Sequence, residues 1–222
     1  MGQSKILVRC FSSIPKFRPL KIHNFENTSN HTTAPSPSYF EAETKVINLL
    51  NRRPIPPPFV FNLILLSVVK NKDFNSTLKI GQKFLLHRRL FDSHTLHIFM
   101  NCCCSVNQVQ NAYSLVSLLI KCGFELGTII FNTLLKGLVL EGRVFEAFQL
   151  SELMRNQGIF MSEVSYAILI RGLCDSNQVG SVLFLLNRII KNEFPDIYPN
   201  VVIFGTVIAS LFKYERYEMA FH

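Results

Sequence analysis

A 35-residue period in the apolar residues, starting at Pro58, constrains this sequence more than any other feature. In each period apolar side chains stand at the fourth, seventh, eighth and eleventh places, which is the spacing of one stripe along an α-helix. The fourth place holds Phe61, Leu96, Phe131, Tyr166 and, after three extra residues, Phe204. The eighth place holds Leu65, Met100, Leu135, Ile170 and Ile208. The pattern predicts an amphipathic helix at the start of every unit.

A second apolar stripe follows in each unit, after a short turn that contains Asn or Gly. One of its places holds Thr77, Ala112, Ala147, Val182 and Ala220. A hairpin of two such helices cannot bury both stripes by itself, so we expect neighbouring hairpins to stack. The predicted fold is all-α, a right-handed α-solenoid of helix-turn-helix repeats. Its repeats are predicted at residues 58–92, 93–127, 128–162, 163–200 and, in part, 201–222.

Small residues recur at two places of the predicted hairpins. Gly123 and Gly158 follow second helices, where a left-handed residue commonly ends a helix. The tenth place holds Ser67, Cys102, Gly137, Gly172 and Ser210. A small side chain at a fixed place indicates that helices approach each other closely there.

The first 24 residues carry five basic residues and no acidic one, and the first acidic residue is Glu26. This composition, with Ser and scattered apolar residues, is typical of a mitochondrial or chloroplast transit peptide. Residues 25–38 are rich in Asn, Thr, Ser and Pro, which predicts a linker. We predict a transit peptide and disordered linker over residues 1–40, then a short helix and a Pro-rich boundary over residues 41–57. The alternative is a disordered basic tail without a targeting signal.

The net charge of +8 is a weak argument for nucleic-acid binding because of where the charge lies. Residues 1–57 hold eight Lys and Arg against three Glu, whereas residues 58–222 hold fifteen basic against twelve acidic residues. Most of the basic surplus therefore lies outside the predicted repeats. An argument for RNA binding has to rest on individual side chains instead.

Several classes of protein are disfavoured by the sequence. The longest apolar stretch, Pro58–Val69, stops at Lys70, and a spanning helix needs roughly 20 residues. His94 and His97 precede Cys102–Cys104, which raises the possibility of a metal site. Adjacent helical residues point about 100° apart, however, so the three cysteines cannot converge on one metal ion, and buried thiols are favoured. Motifs of phosphate loops, serine hydrolases, zinc proteases and deaminases are missing. We predict no enzyme activity, cofactor, metal, membrane span or small-molecule substrate.

The third unit carries the most specific pattern. It opens with Thr128-Ile-Ile-Phe-Asn-Thr-Leu-Leu-Lys-Gly-Leu, continues with Gly142-Arg-Val-Phe-Glu-Ala-Phe-Gln-Leu and reaches Met154-Arg-Asn-Gln-Gly-Ile. These segments resemble the pentatricopeptide repeat. The sibling 34-residue tetratricopeptide repeat carries a Trp near its start, and this chain has no Trp. With its presequence and the segment from Asp92 to Cys104, the chain looks like a plant organellar pentatricopeptide repeat protein of the fertility-restorer-like group.

The resemblance implies that the chain binds single-stranded RNA, with one repeat for each base. It also implies that the fifth and last residues of a unit hydrogen-bond the base edge, while the second residue packs on the base faces. The implied base-reading pairs are Asn62 with Asp92, His97 with Gly127, Asn132 with Ser162, and Ala167 with Asn200, and Gly205 opens a pair whose partner is missing. The implied packing residues are Phe59, His94, Ile129, Val164 and Val202.

Base preferences and a compartment follow from the same resemblance. Asn62 with Asp92 favours uracil and Asn132 with Ser162 favours a pyrimidine, whereas the other two pairs depart from the usual residues. The implied role is sequence-selective binding of mitochondrial or chloroplast transcripts, which affects their processing, stability or translation, alongside other organellar RNA-processing proteins. The alternatives are a protein-interaction scaffold and, more distantly, a membrane-associated assembly factor. Because the sequence stops within a second helix at His222, we expect the full form to carry further repeats.

Overall fold

The computed structural model describes residues 37–85, 91–191 and 200–213, and every regular element in these ranges is an α-helix. The described helices have 12 to 14 residues each, and none of them is long and apolar enough to cross a bilayer. In chain order they are α1 (Pro37–Leu50), α2 (Pro58–Lys70), α3 (Phe74–Leu85), α4 (Ser93–Ser105), α5 (Val109–Lys121), α6 (Thr128–Leu140), α7 (Val144–Asn156), α8 (Glu163–Asp175), α9 (Val179–Ile190) and α10 (Val201–Lys213).

The chain divides into two compact units, Met1–Leu126 and Gly127–His222. In the first unit α2 packs against α1, α3 and α4, and α4 also packs against α3 and α5. In the second unit α8 packs against α6, α7, α9 and α10, and α6 also packs against α7. Within each unit, therefore, the first helices of successive hairpins are neighbours and a second helix contacts both of them. The predicted all-α fold of stacked helical hairpins is confirmed within each unit.

Local sequence explains where several of these helices begin. α2 begins at Pro58, at a place where the missing N–H of proline costs no hydrogen bond. Asp92 precedes α4 and Ser162 precedes α8, and each forms a capping box with the residue three places later. First helices thus start where the 35-residue period places them.

The turn inside each hairpin holds one residue in the left-handed region, always at the same place of the repeat. These residues are Lys72 (φ 58°), Asn107 (φ 56°), Gly142 (φ 72°) and Asn177 (φ 59°). The backbone N–H of Arg143 then donates to the Leu138 carbonyl at 2.8 Å, which satisfies a carbonyl at the end of α6. Gly123 (φ 80°) and Gly158 (φ 66°) end the second helices α5 and α7, as predicted.

The two predicted stripes form the core of each unit. Fourth-place and eighth-place residues are buried in the first four repeats, and so are Thr77, Ala112, Ala147 and Val182 of the second helices. On α10 the residues at these places, Phe204 and Ile208, are exposed. The predicted second helix of this unit, which contains Ala220, lies outside the described residues.

α1 begins at Pro37, within the segment predicted to be a linker. Proline is accepted in the first turn of a helix, so a Pro-containing segment still initiates one here. Ala42 and Val46, one turn apart, are buried on α1, which packs against α2. The short helix predicted before the Pro-rich boundary is therefore present, but it begins earlier than predicted, at Pro37, and ends at Leu50. The predicted transit peptide lies outside the described residues.

The three adjacent cysteines of α4, Cys102, Cys103 and Cys104, are buried as predicted. Burial raises the pKa of the Cys102 thiol to about 12 and that of the Cys103 thiol well above its usual value. Both thiols are therefore protonated at neutral pH and act as small apolar core side chains. Across the part of the chain that the structure describes, no group of three or more His, Cys, Asp and Glu residues is arranged to hold a metal ion.

The tenth place of the fourth repeat shows why a small residue stands there. A Cβ added to Gly172 on α8 would lie 2.6 Å from Cγ2 of Val139 on α6, so glycine permits the observed approach of these two helices. The same two helices carry the fifth-place residues Ala167 and Asn132. Their approach therefore sets the spacing of two successive candidate binding residues.

Replacing Gly172 by alanine is expected to destabilise the chain by about 1–3 kcal/mol, because the added methyl overpacks the contact with the stiff side chain of Val139. Helix propensity alone would have the opposite sign, a gain of roughly 0.5–1 kcal/mol. Gly180→Ala is the matched control, since Gly180 is helical and an added Cβ there meets nothing within 4 Å. Urea unfolding followed by circular dichroism measures both changes. If Val139→Ala did not offset the loss in a double variant, overpacking would be the wrong explanation.

Candidate nucleic-acid interface

The second residues of the repeats are exposed on the first helices. Phe59 is 60% exposed, Ile129 69%, Val164 58% and Val202 54%, and His94 is exposed as well. Large apolar side chains are mostly buried in folded proteins, so their exposure at one fixed place of a repeat indicates a contact surface. These are the residues that the family resemblance implies to pack on base faces.

A hydrogen-bonded network joins the predicted pair of the first repeat. The Asn62 amide Nδ2 donates to the Asp92 carboxylate, at 3.2 Å to Oδ1 and 3.4 Å to Oδ2. The Thr95 hydroxyl lies 2.7 Å from Asn62 Oδ1 and 2.8 Å from Asp92 Oδ1, and its single proton can serve only one of them fully. Since Asn62 is buried and bonded through both amide atoms, its side chain is fixed in one orientation.

The carboxyl group of Asp92 is held in its ionised form by this network. Burial raises its pKa, but hydrogen bonds from the Thr95 backbone N–H, the Thr95 hydroxyl and the Asn62 amide, with the charge of His94, bring the net shift below the usual value. An ionised carboxylate only accepts hydrogen bonds. Asp92 therefore presents a fixed acceptor beside the Asn62 amide.

The third repeat contains the same network with different chemistry at one position. Asn132 Nδ2 donates to the Ser162 hydroxyl at 3.4 Å, and the Ser165 hydroxyl donates to Asn132 Oδ1 at 2.6 Å. The hydroxyl oxygens of Ser162 and Ser165 lie 3.3 Å apart. Ser162 thus takes the place of Asp92, and Ser165 takes the place of Thr95. The structure brings the two residues of each Asn-containing pair together, and their reading of a base stays a prediction.

The last residue of a repeat reaches this network because it also starts the next first helix. Asp92 Oδ1 accepts from the Thr95 backbone N–H at 2.7 Å, and Ser162 Oγ accepts from the Ser165 backbone N–H at 3.4 Å. A capping side chain has to point back over the first turn of its helix. That direction turns it towards the fifth residue of the preceding first helix.

The second repeat lacks a matching set of side chains. His97 is half-buried, and burial lowers its pKa, with a further lowering by the neighbouring His94. A neutral imidazole offers one donor and one acceptor. Gly127 caps α6 without a side chain, and an added Cβ there would meet nothing within 4 Å. The two residues belong to different units of the chain.

The fourth repeat has a methyl group where the first and third have an amide. Ala167 offers no hydrogen bond, and Asn200 Oδ1 accepts from the Ile203 backbone N–H at 3.0 Å. A groove of about 580 Å³ opens at Ala167, between the packing residues Val164 and Val202 and beside Lys136 and Arg171. This is the size range of pockets that hold small molecules or single groups.

Gly205, the fifth residue of the last unit, lies exposed on α10. An added Cβ there would meet nothing within 4 Å. With no side chain, it brings no side-chain hydrogen-bonding group to the surface. Its role in base reading stays a prediction.

Two residues of these networks, Thr95 and Ser165, were not predicted from the sequence. Both stand at the third place of a first helix and hold the amide of the preceding repeat. A signal was present, because a hydroxyl residue three places after Asp or Ser is the pattern of a reciprocal helix cap. The corresponding residues after His97 and Ala167 are Ile130 and Ile203.

Comparison with known proteins places the repeats in a family. Residues 126–175 match the PPR repeat family, and residues 164–194 match the PPR repeat. Over 99 residues, 45% of the chain, the sequence is 35% identical to an Arabidopsis thaliana protein named as a mitochondrial pentatricopeptide repeat-containing protein. Over residues 126–194, therefore, the chain is similar to pentatricopeptide repeats.

The relatives that the chain matches are considerably longer. A second Arabidopsis pentatricopeptide repeat-containing protein is 21% identical over 133 residues, which is 60% of the chain. The chain spans 16% of the first relative and 17% of the second.

Solved structures of pentatricopeptide repeat proteins share the fold. The crystal structure of PPR10 from maize matches 80% of this chain and 25% of its own, with a TM-score of 0.63 and 17% identity. PPR10 in complex with an 18-nt psaJ RNA element matches 83% of this chain and 29% of its own, with a TM-score of 0.56 and 18% identity. The likeness establishes the fold and agrees with the predicted solenoid of helical hairpins.

Proposed function

We propose that this chain binds single-stranded RNA through its first helices and acts as a binding protein, without catalysis. The observation that carries the proposal is the repeated network of Asn, last residue and hydroxyl residue, found with Asn62 and again with Asn132. Each network accompanies an exposed apolar second residue, Phe59 or Ile129. The network suits hydrogen bonding to a base edge, and the exposed apolar side chain suits packing on a base face.

The networks are preorganised for hydrogen bonding. In each, the Asn carbonyl oxygen is held by a hydroxyl and one amide proton by the last residue, which leaves the second amide proton for a ligand. Asp92 adds an ionised acceptor in the first repeat, and Ser162 adds a hydroxyl in the third. Side chains that are already fixed lose little conformational entropy on binding.

The proposed base preferences follow the resemblance. The Asn62 and Asp92 pair is assigned to uracil, and the Asn132 and Ser162 pair to a pyrimidine. The pairs that begin with His97 and Ala167 depart from the usual residues and receive no assignment from the family. Stacking contributes roughly 1–3 kcal/mol per base, so four repeats contribute about 4–12 kcal/mol before ordering costs.

The proposed site of action is an organelle, and the mitochondrion is favoured over the chloroplast. Support comes from the basic, acid-free start of the sequence and from the mitochondrial name of the Arabidopsis relative. Bound there, the chain would protect, expose or remodel a transcript. Other organellar RNA-processing proteins are the partners that such a role implies.

The experiment is titration of the full chain against a fluorescent pool of single-stranded RNA at several salt concentrations. We expect binding that weakens with salt, and a loss of about 1–3 kcal/mol in Phe59→Ala, since this exposed ring stacks on a base. Phe145→Ala is the matched control, because Phe145 is 72% exposed but lies on the second helix α7.

Because Phe59 and Phe145 are both exposed, neither substitution creates a core cavity, and a difference between them reports on the ligand. Equal effects of the two would contradict a stacking role for the second residues. Indifference of the wild-type chain to RNA at every salt concentration would favour the protein-interaction scaffold instead.

A further inference from the structure

The fourth repeat lacks two of the three residues that form the network in the first and third repeats. Its fifth residue is Ala167, and the residue at the place of Thr95 and Ser165 is Ile203, which is buried. The groove at Ala167 is nevertheless open, with Val164 and Val202 along it as exposed apolar side chains. A base that stacks there would find no amide at its edge.

Arg171 is placed to supply the missing group. It lies four residues after Ala167 on α8, about 6 Å further along the helix axis and on the same face. Helical Cα–Cβ bonds tilt towards the helix N-terminus, so the long Arg171 side chain extends towards the short Ala167. Both residues line the groove.

The guanidinium of Arg171 is available for a ligand. Arg171 is exposed, and no hydrogen bond or ion pair joins its side chain to another described residue. The other charged residues along the groove are Lys136 on α6 and Asp175, one turn beyond Arg171 on α8. Two cations against one anion leave the groove with a positive balance, which suits a polyanionic strand.

We propose that Arg171 replaces the missing amide of the fourth repeat and selects guanine at that position. The inference rests on the proposed RNA-binding function. A guanidinium has five N–H donors and no acceptor, and Asn200 Oδ1 is already used by the Ile203 backbone N–H, so this repeat presents mainly donors. Guanine offers two adjacent acceptors, O6 and N7, which fit the Arg fork, whereas adenine places an amino donor beside N7.

Lys136 provides a comparison within the same groove. It occupies the place of Arg171 in the third repeat, four residues after Asn132, and it is also exposed. Because Asn132 is present there, the base edge already has its partner, and the point charge of Lys136 suits a phosphate. The same place in two successive repeats therefore carries two different contacts.

The test is selection of RNA from a fully randomised pool by the wild-type chain and by the Arg171→Lys, Arg171→Ala, Lys136→Ala and Asn132→Ala variants. The selected sequences are compared column by column, and binding of the best RNA and its single-base changes is then titrated at several salt concentrations. Arg171→Lys keeps the charge and removes the fork, so it isolates base reading from attraction to phosphate.

We expect wild-type RNAs to show a guanine column next to the column that changes in Asn132→Ala. In RNAs selected by Arg171→Lys, the guanine column should lose its preference. Discrimination of guanine against adenine should drop roughly 5- to 150-fold, while the salt slope of binding should not change. Lys136→Ala should instead weaken the binding of all RNAs equally and reduce the salt slope of binding by about one.

Uniform weakening of all RNAs by Arg171→Ala, with a smaller salt slope, would overturn the proposal and assign Arg171 to a phosphate. A guanine column that persists in Arg171→Lys would overturn it too. If the wild-type chain bound RNA without any guanine column, only this inference would fail. If it bound no RNA, the proposed function would fail with it.

Discussion

Replacing both network amides, in the double variant Asn62→Ala/Asn132→Ala, is expected to weaken binding of the preferred RNA by about 2–6 kcal/mol, at least roughly 30-fold. Each amide is assigned one base edge, and a well-placed edge contact contributes about 1–3 kcal/mol. The two sites lie two repeats apart and share no hydrogen-bond partner, so their effects should add.

The double variant is expected to fold, because the helix caps survive the loss of both amides. Thr95 still bonds Asp92 through its hydroxyl at 2.8 Å and its backbone N–H at 2.7 Å. Ser165 and Ser162 keep their mutual contact at 3.3 Å. Circular dichroism and a thermal melt of each variant check this directly.

The matched control is Asn75→Ala/Asn156→Ala, which removes two exposed amides from the second helices α3 and α7. Fluorescence anisotropy with the selected RNA measures both double variants under one salt condition. The control should bind within twofold of the wild type. Equal losses in the two double variants would show that the networks do not read bases.

Phe131→Ala is expected to have the largest effect on stability, a loss of about 3–5 kcal/mol in the free energy of unfolding. Phe131 is fully buried on α6, at the fourth place of the repeat, where the ring lies in the core of the second unit. Its removal takes away apolar contacts and leaves a cavity that the surrounding helices cannot fill completely.

Urea unfolding followed by circular dichroism measures the effect of Phe131→Ala as a shift in the midpoint. The same substitution at Phe145, which is 72% exposed, serves as the control and should change stability by less than about 0.5 kcal/mol. A loss below about 1 kcal/mol at Phe131 would mean that the fourth-place stripe does not form the core.

The architecture could be predicted from the sequence because the period repeats one physical pattern. Buried Phe61, Leu96, Phe131 and Tyr166 stand at one place of successive repeats, and each hairpin turn has a left-handed residue at another. Because every repeat shows the same pattern, an uncertain helix assignment in one repeat can be settled by comparison with the others. α1 has no such support, and its start at Pro37 was placed in a linker, because proline is a helix breaker except in the first turn.

The candidate site was only partly predictable. Asn62 and Asn132 were recognised by their place in the repeat, and the structure brings them to their partners. Thr95 and Ser165 were missed because a hydroxyl next to an apolar stripe resembles an ordinary buried residue until the amide beside it is located. Contacts between residues 30 or more positions apart depend on how helices stack, which a single sequence does not state.

The last residues of the four complete repeats are Asp92, Gly127, Ser162 and Asn200, and all belong to the few amino acids that favour the start of a helix. If the last residue reads a base as proposed, a substitution that changes the base preference of a repeat has to be chosen from these few amino acids. A bulkier apolar choice would cost about 1 kcal/mol of folding stability per repeat even in the absence of RNA. The residue types available at the last place of a repeat are therefore limited by the requirement to start the next helix.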